Sequence, residues 1–218
     1  MATDHELFQK MRTHLFTAII GDILDLHGYH HQFLMPECRP LAPAMVVCGR
    51  AMTVLETDVA GPVDPPFGLM LKALDSMKQD EVYVASGSSP SYALWGELMS
   101  TAARARGAAG AVLAGYARDT NGIVEMNFPV FCYGSYAQDQ RGRGRVEDFR
   151  IPLDIHGVKI NPGDIVFGDV DGVVILPREI EAAVIAQALE QVKKEKSARK
   201  LLLDGVPAET VFSETGVL

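Results

Sequence analysis

Apolar positions recur at helical spacing over residues 4 to 27, where Leu7, Phe8, Met11, Leu15, Ile19, Ile23 and Leu26 fall on one side. Thr17 is placed to break that pattern and cap a second helix, so an N-terminal helical pair is predicted. From Ala44 to Leu55 the pattern becomes a near-continuous apolar run, read as a strand bent at Gly49. The loop from Gly61 to Pro66 then leads into a helix predicted from about Phe67 to Met77, and Glu81 to Ser86 reads as a core strand. Leu98, Ala102 and Ala105 mark another helix, and Ala111 to Gly115 a short buried strand. From Gly142 to Pro177 strands predominate, with His156-Gly157 and Asp171-Gly172 suited to hairpin turns. Ile180, Val184, Ala188 and Val192 then predict one long helix from Arg178 to about Leu203. The expected fold class is α/β: one layered domain over residues 1–218, with N-terminal helices and a long C-terminal helix.

Composition narrows the functional classes. A chain of 218 residues that is 48% hydrophobic can bury a sizeable single core. A net charge of -8 argues against nucleic-acid binding, because phosphate affinity comes largely from clustered Lys and Arg. Cys38, Cys48 and Cys132 are odd in number and lack CxxC spacing, so neither a disulfide framework nor a zinc site is expected. No run approaches the roughly 18 apolar residues of a membrane span, and the start lacks a basic segment followed by an apolar stretch, so a cytoplasmic protein is expected.

The candidate chemistry is concentrated in the middle of the chain. Gly96-Glu97-Leu98-Met99 stands where the loop Ser86 to Pro90 gives way to a helical pattern, so its amides are first-turn donors suited to a carboxylate. Arg118-Asp119 lies just past a predicted strand end, where open α/β sheets place ligands. Taken alone, Asp119 also fits a helix cap or surface ion pair, and Arg118 a solvated cation. Arg141, Arg143 and Arg145 alternate and, if extended, share one face that could meet an anion or a neighbouring subunit. His30-His31 lacks metal-ligand spacing. The chain has no GxxxxGK loop, dinucleotide fingerprint or S-adenosylmethionine-type glycine motif, and no lysine stands out as a Schiff-base former.

Taken together these segments resemble the RraA-like family, which includes 4-hydroxy-4-methyl-2-oxoglutarate/4-carboxy-4-hydroxy-2-oxoadipate aldolases, oxaloacetate decarboxylases and the non-catalytic regulator of ribonuclease E activity. The resemblance runs through Thr17 to Asp22, Gly49 to Val54, the central tetrad and Arg-Asp pair, Phe128 to Phe131, Pro162 to Val166, Asp171 to Val174 and the closing Gly216-Val217-Leu218. It implies an αββα sandwich of swivelling-domain type. It also implies a divalent-metal-dependent lyase acting on a short 4-hydroxy-2-oxo acid or oxaloacetate through a pyruvate enolate, with a non-catalytic regulatory binding protein as the alternative.

By the same resemblance Asp119 is the protein ligand of Mg²⁺ or Mn²⁺, most other positions being water. Arg118 binds the keto acid end, and Gly96, Glu97, Leu98 and Met99 cradle the pyruvyl group, with Glu97 ordering metal-bound water. A glutamate on the last long helix, Glu195 or failing that Glu190, reaches a neighbour's site to activate a water, although Glu195 also fits an ordinary helix pair with Arg199. A homotrimer or hexamer is implied. One departure stands out: Gly122 occupies the place, three residues after Asp119, where the aldolases carry an acid.

Overall fold

The computed structural model describes residues 3–217; Leu218, part of the motif named above, lies outside the described residues. The chain runs α1 (Asp4–His14), α2 (Thr17–Leu26), β1 (Arg39–Pro40), β2 (Val47–Asp58), α3 (Met70–Asp75), β3 (Glu81–Ser86), β4 (Ala93–Trp95), α4 (Glu97–Ala105), β5 (Gly110–Leu113), β6 (Tyr116–Ala117), α5 (Thr120–Glu125), β7 (Val130–Cys132), β8 (Gly144–Phe149), β9 (Leu153–Ile155), β10 (Val158–Ile160), β11 (Ile165–Asp169), β12 (Gly172–Leu176), α6 (Glu181–Leu203) and α7 (Ala208–Thr215).

One mixed sheet dominates, in the order β1-β7-β5-β3-β2-β11-β12, with β8 also paired to β2. The strand β2 is long enough to serve three partners in turn: β11 antiparallel over Val47–Arg50, β3 parallel over Arg50–Leu55, and β8 antiparallel over Val54–Asp58. The sheet curls until its ends approach, and the closure is bridged by Leu34 N–H donating to Val173 O at 3.0 Å and Arg39 Nη1 donating to Val170 O at 3.0 Å. The result is a mixed α/β fold with a nearly closed sheet and helices outside it, and the sheet layers expected from sequence are parts of this one curled sheet.

Strand alternation explains why the helices are needed. Successive side chains point to opposite faces, so Val82 and Val84 of β3 and Val112 of β5 fill the inside of the curl, while Tyr83, Ala85, Ala111 and Leu113 point outward into a second core under α3 and α4. Likewise Val166, Val173 and Ile175 point inward, while Ile165, Phe167, Val174 and Leu176 meet Phe8, Ile20 and Val184 of the terminal helices. Both faces of the strands are therefore apolar, and each outer face is covered by helices. Arg50 ties the terminal helices to the sheet: its guanidinium donates to Asp4 at 2.8 and 2.9 Å and to Glu181.

Several expected boundaries shift. The helix expected over Phe67 to Met77 is only Met70–Asp75, the strand expected from Ala44 to Leu55 is Val47–Asp58, and α6 begins at Glu181 instead of Arg178. The β9–β10 hairpin turns at His156-Gly157, both at positive φ, as expected. In β11–β12, Asp169 pairs with Gly172, so the two-residue turn is Val170-Asp171, one position earlier than expected.

Thr17 opens α2 but does not cap it. Its N–H and hydroxyl both donate to the buried Asp169 carboxylate, at 2.8 and 2.7 Å, so the cap is supplied from the far end of the chain. Arg141 and Arg143 lie in a turn instead of sharing an extended face with Arg145, because Gly142 takes a positive φ and Arg143 folds back onto the carbonyls of Asp139 and Arg141.

Because Asp169 satisfies a helix N-terminus from a buried position, Asp169→Ala should cost about 2 kcal/mol, the range for losing a cap and leaving donors unpaired. Urea unfolding measures this. A midpoint unchanged from wild type would show that the contact does not stabilise the helical pair.

Candidate active site

Two very short strands create the site. Ala93 and Trp95 of β4 pair in parallel with Tyr116 and Ala117 of β6, and Arg118 N–H donates to Trp95 O at 2.8 Å. Parallel pairing places the C-terminal ends of both strands side by side, so whatever follows each is adjacent. Gly96 and α4 follow β4; Arg118, Asp119 and α5 follow β6. The first turn of α4 is itself locked from below, since the buried Trp95 Nε1 donates to Ser100 Oγ at 2.6 Å.

Gly96 leaves room for the Asp119 carboxylate. A Cβ there would lie 2.7 Å from Asp119 Oδ2, so a side chain at 96 would push the carboxylate away from the start of α4. The Glu97 amide points at that oxygen, at 3.4 Å, while the Leu98 and Met99 amides have no hydrogen-bond partner among the described residues. Asp119 adopts φ 58°, ψ 36°, a left-handed conformation that aspartate tolerates better than most residues. Its own side chain does not cap α5 and is left free for the pocket.

Arg118 stands between two carboxylates. Its Nε lies 3.6 Å from Asp119 Oδ2 and its Nη1 lies 3.4 Å from Asp139 Oδ1. At these separations, and with both partners about 40–45% exposed, the pairs orient the guanidinium without consuming its hydrogen bonds. Asp139 was not anticipated from the sequence. It sits on an irregular segment held alongside β4 by Ala93 N–H donating to Gln138 O at 2.8 Å. The buried apolar run Tyr92 to Trp95 just before Gly96 was the available signal for β4.

Arg118, Asp119, Asp139 and Gln140 line one wall of a cavity of about 300 Å³, with Gly96, Leu98 and Met99 on another and apolar side chains of α3 and α4 closing the remainder. Thus Gly96, Leu98 and Met99 of the tetrad and the Arg-Asp pair, separated in sequence, meet around one cavity. Glu97 points elsewhere: a Cβ at Gly122 would lie 2.3 Å from its Oε2, so the Glu97 carboxylate rests over α5 in space that a side chain at 122 would fill. The missing acid at 122 is thereby matched by an acid from α4 over the same spot.

Glu195 is not brought to this cavity within one chain. It lines a separate groove with Thr13, His14, Phe16 and Arg199, where burial and then Asp22 push its carboxyl above the ordinary range. Glu190 is exposed and pairs with Lys193 at 2.7 Å. His30 contacts only Asp25 among the described ionic pairs, and the three cysteines are free and buried. Among the described residues no helix is long and apolar enough to cross a membrane.

Behind the cavity wall, Gln140 Nε2 donates to the buried Glu56 Oε2 at 2.6 Å, while Glu56 Oε1 and the Tyr83 hydroxyl have no partner among the described residues. Burial pushes the Glu56 carboxyl up to about 8, against a smaller opposing effect of the Gln140 bond. The folded protein therefore holds a proton that the unfolded chain releases near 4.5, so stability is full below that pH and declines as pH rises through about 8. Glu56→Gln should remove this decline, and its melting temperature should gain on wild type between about pH 5 and 9. A pH-independent difference between the two proteins would show that Glu56 is ionised when folded.

Comparison with known proteins gives the chain's family and relatives. Residues 17–175 match the RraA-like family, described as Aldolase/RraA. The chain is 32% identical over 166 residues to the protein DlpA of Legionella pneumophila, covering 75% of this chain but only 26% of that much longer protein. It is 28% identical over 146 residues to a Halalkalibacterium halodurans protein provisionally named a 4-hydroxy-4-methyl-2-oxoglutarate aldolase, covering 66% of this chain and 69% of that one. Streptomyces coelicolor RraAS2, titled an unusual member of the RNase ES inhibitor RraA family, superposes with a TM-score of 0.79 at 21% identity, covering 91% of this chain and 98% of that one, a likeness of fold.

Proposed function

This chain belongs to the RraA-like family, and on that premise we propose that it is a divalent-metal-dependent lyase cleaving a short 4-hydroxy-2-oxo acid, able to decarboxylate oxaloacetate by the same chemistry. The observation that carries the reading is Arg118 and Asp119 facing the open first turn of α4 across Gly96, inside one cavity. The hard donor set suits Mg²⁺ or Mn²⁺. Among the described residues no group of three or more His, Cys, Asp or Glu could hold a metal, so Asp119 would be the ligand and water would fill most other positions. When bound, the cation supplies Lewis acidity toward the 2-keto oxygen.

The chain's own residues do the rest. The Leu98 and Met99 amides and the Arg118 fork take the substrate carboxylate, and Arg118 also faces the keto oxygen. When the C3–C4 bond breaks, its electron pair moves into the pyruvate enolate, whose oxygen gains charge beside Arg118. The 4-hydroxyl proton leaves as C4 becomes a carbonyl, and C3 then takes up a proton to give pyruvate. We assign the transfer of the hydroxyl proton, through a water, to Glu195 of a neighbouring copy in a homotrimer or hexamer. Support for that assembly comes from exposed apolar residues on the terminal helices, Leu26, Leu203 and Phe212, which a neighbouring copy would cover.

Pyruvate release from a panel of 4-hydroxy-2-oxo acids and oxaloacetate, with and without Mg²⁺ or Mn²⁺, tests the reading. Asp119→Asn should abolish metal-dependent turnover and leave the fold intact. Arg118→Lys should lose about 10²-fold in kcat despite keeping its charge, because an ammonium replaces a planar fork. A panel left uncleaved by wild type in the presence of metal would favour a regulatory binding protein.

The shared site has its own test. Inactive Asp119→Asn and Glu195→Gln subunits, mixed into confirmed hybrid oligomers, should regain part of the activity. No recovery would place Glu195 outside the neighbouring site.

A further inference from the structure

The proposed lyase reading leaves open what the substrate carries beyond its keto acid end, and the cavity speaks to that half. Among the described residues Arg118 is the only cation lining it, already flanked by Asp119 and Asp139 and, on the reading above, committed to the keto acid carboxylate. The remaining surface is built from Phe67, Met70, Leu74, Leu94, Met99 and Ala102. At the mouth stand Leu71 and Leu98, 61% and 82% exposed, large apolar residues that gain nothing from water. Of the cations elsewhere in this region, Arg143 is engaged by the carbonyls of Asp139 and Arg141, Arg145 by Glu147 at 2.7 Å and Arg104 by the carbonyl of Met126, while Lys72 and Arg141 do not line the cavity. A second substrate carboxylate entering here would give up hydration for largely apolar walls, a Gln140 amide already donating to Glu56, and the like charge of Asp139.

We infer that the part of the substrate beyond C4 is an apolar aliphatic or aromatic group seated between α3 and the first turns of α4, so that the protein prefers monocarboxylic 4-hydroxy-2-oxo acids to diacids. Retro-aldol cleavage then gives pyruvate and an apolar aldehyde or ketone, with the electron and proton balance already described. The size fits, since about 300 Å³ is at the small end of ligand pockets and admits a group of several carbons. Leu71 and Leu74 of α3 become specificity-determining residues, touching the distal group and not the reacting atoms.

The test separates this inference from the reading on which it rests. Exchange of the pyruvate methyl protons in D₂O with Mg²⁺ needs no distal group and reports enolate formation alone. Given exchange, kcat/KM should be about tenfold or more higher for 4-hydroxy-2-oxo acids ending in a butyl or phenyl group than for 4-hydroxy-4-methyl-2-oxoglutarate. Leu71→Lys, a change at an exposed position, should narrow or reverse that ratio by giving a distal carboxylate a partner. Exchange together with a preference for the diacid would overturn the apolar-substrate inference and leave the lyase standing. A ratio unmoved by Leu71→Lys would also overturn it, by taking the selectivity away from this cavity. Neither exchange nor cleavage of any substrate would overturn both.

Discussion

The close approach of Asp119 to the start of α4 is the contact on which the site depends. It needs three things at once: a residue without Cβ at 96, a left-handed turn at 119, and parallel pairing of β4 with β6 to bring the two strand ends level. Each has a local cause in the residues present. Together they place a carboxylate, a guanidinium and free amides around one small volume without any of them being neutralised by a short, direct partner. Sites that act on charge developing in a reaction need such groups fixed in advance, because reorienting them during the step would cost the energy they supply.

The nearly closed sheet provides the rigidity. Because its central strands are apolar on both faces, a shift of register would expose one core while burying polar groups in another. The helical layers are anchored separately: the terminal helices by Arg50 and by Asp169 at Thr17, and α4 by the bond from Trp95 to Ser100. The buried Glu56 differs from the buried Asp169 in having a carboxylate oxygen without a partner among the described residues, and through Gln140 it lies directly behind the cavity wall. A neutral carboxyl there costs less than a charged one and still orders Gln140.

Periodicity made the long elements legible. The helical pair, the core strands and α6 all follow from apolar spacing, because each buries a continuous face. The strands β4 and β6 were missed for the opposite reason: with three and two residues they have no period to detect, and their pairing is a tertiary event. The candidate pair Arg118-Asp119 and the tetrad were singled out by motif, but their meeting point and the placement of Asp139 beside Arg118 required the fold. Thr17 looked like a cap since threonine commonly is one, yet a carboxylate from Asp169 took that role. Glu195 illustrates a limit of another kind, as its helix lies in a different layer from the cavity and only a neighbouring chain could bring it there.

The central claim, that Asp119 and Arg118 organise a metal and a keto acid at the start of α4, is tested most directly by a crystal structure grown with Mn²⁺ and oxalate, an unreactive mimic of the enolate. The account predicts an anomalous difference peak at roughly metal–oxygen bonding distance, about 2.0–2.2 Å, from an Asp119 carboxylate oxygen, with oxalate reaching both Arg118 and the Leu98 and Met99 amides. A peak elsewhere, or oxalate bound away from Arg118, would contradict it.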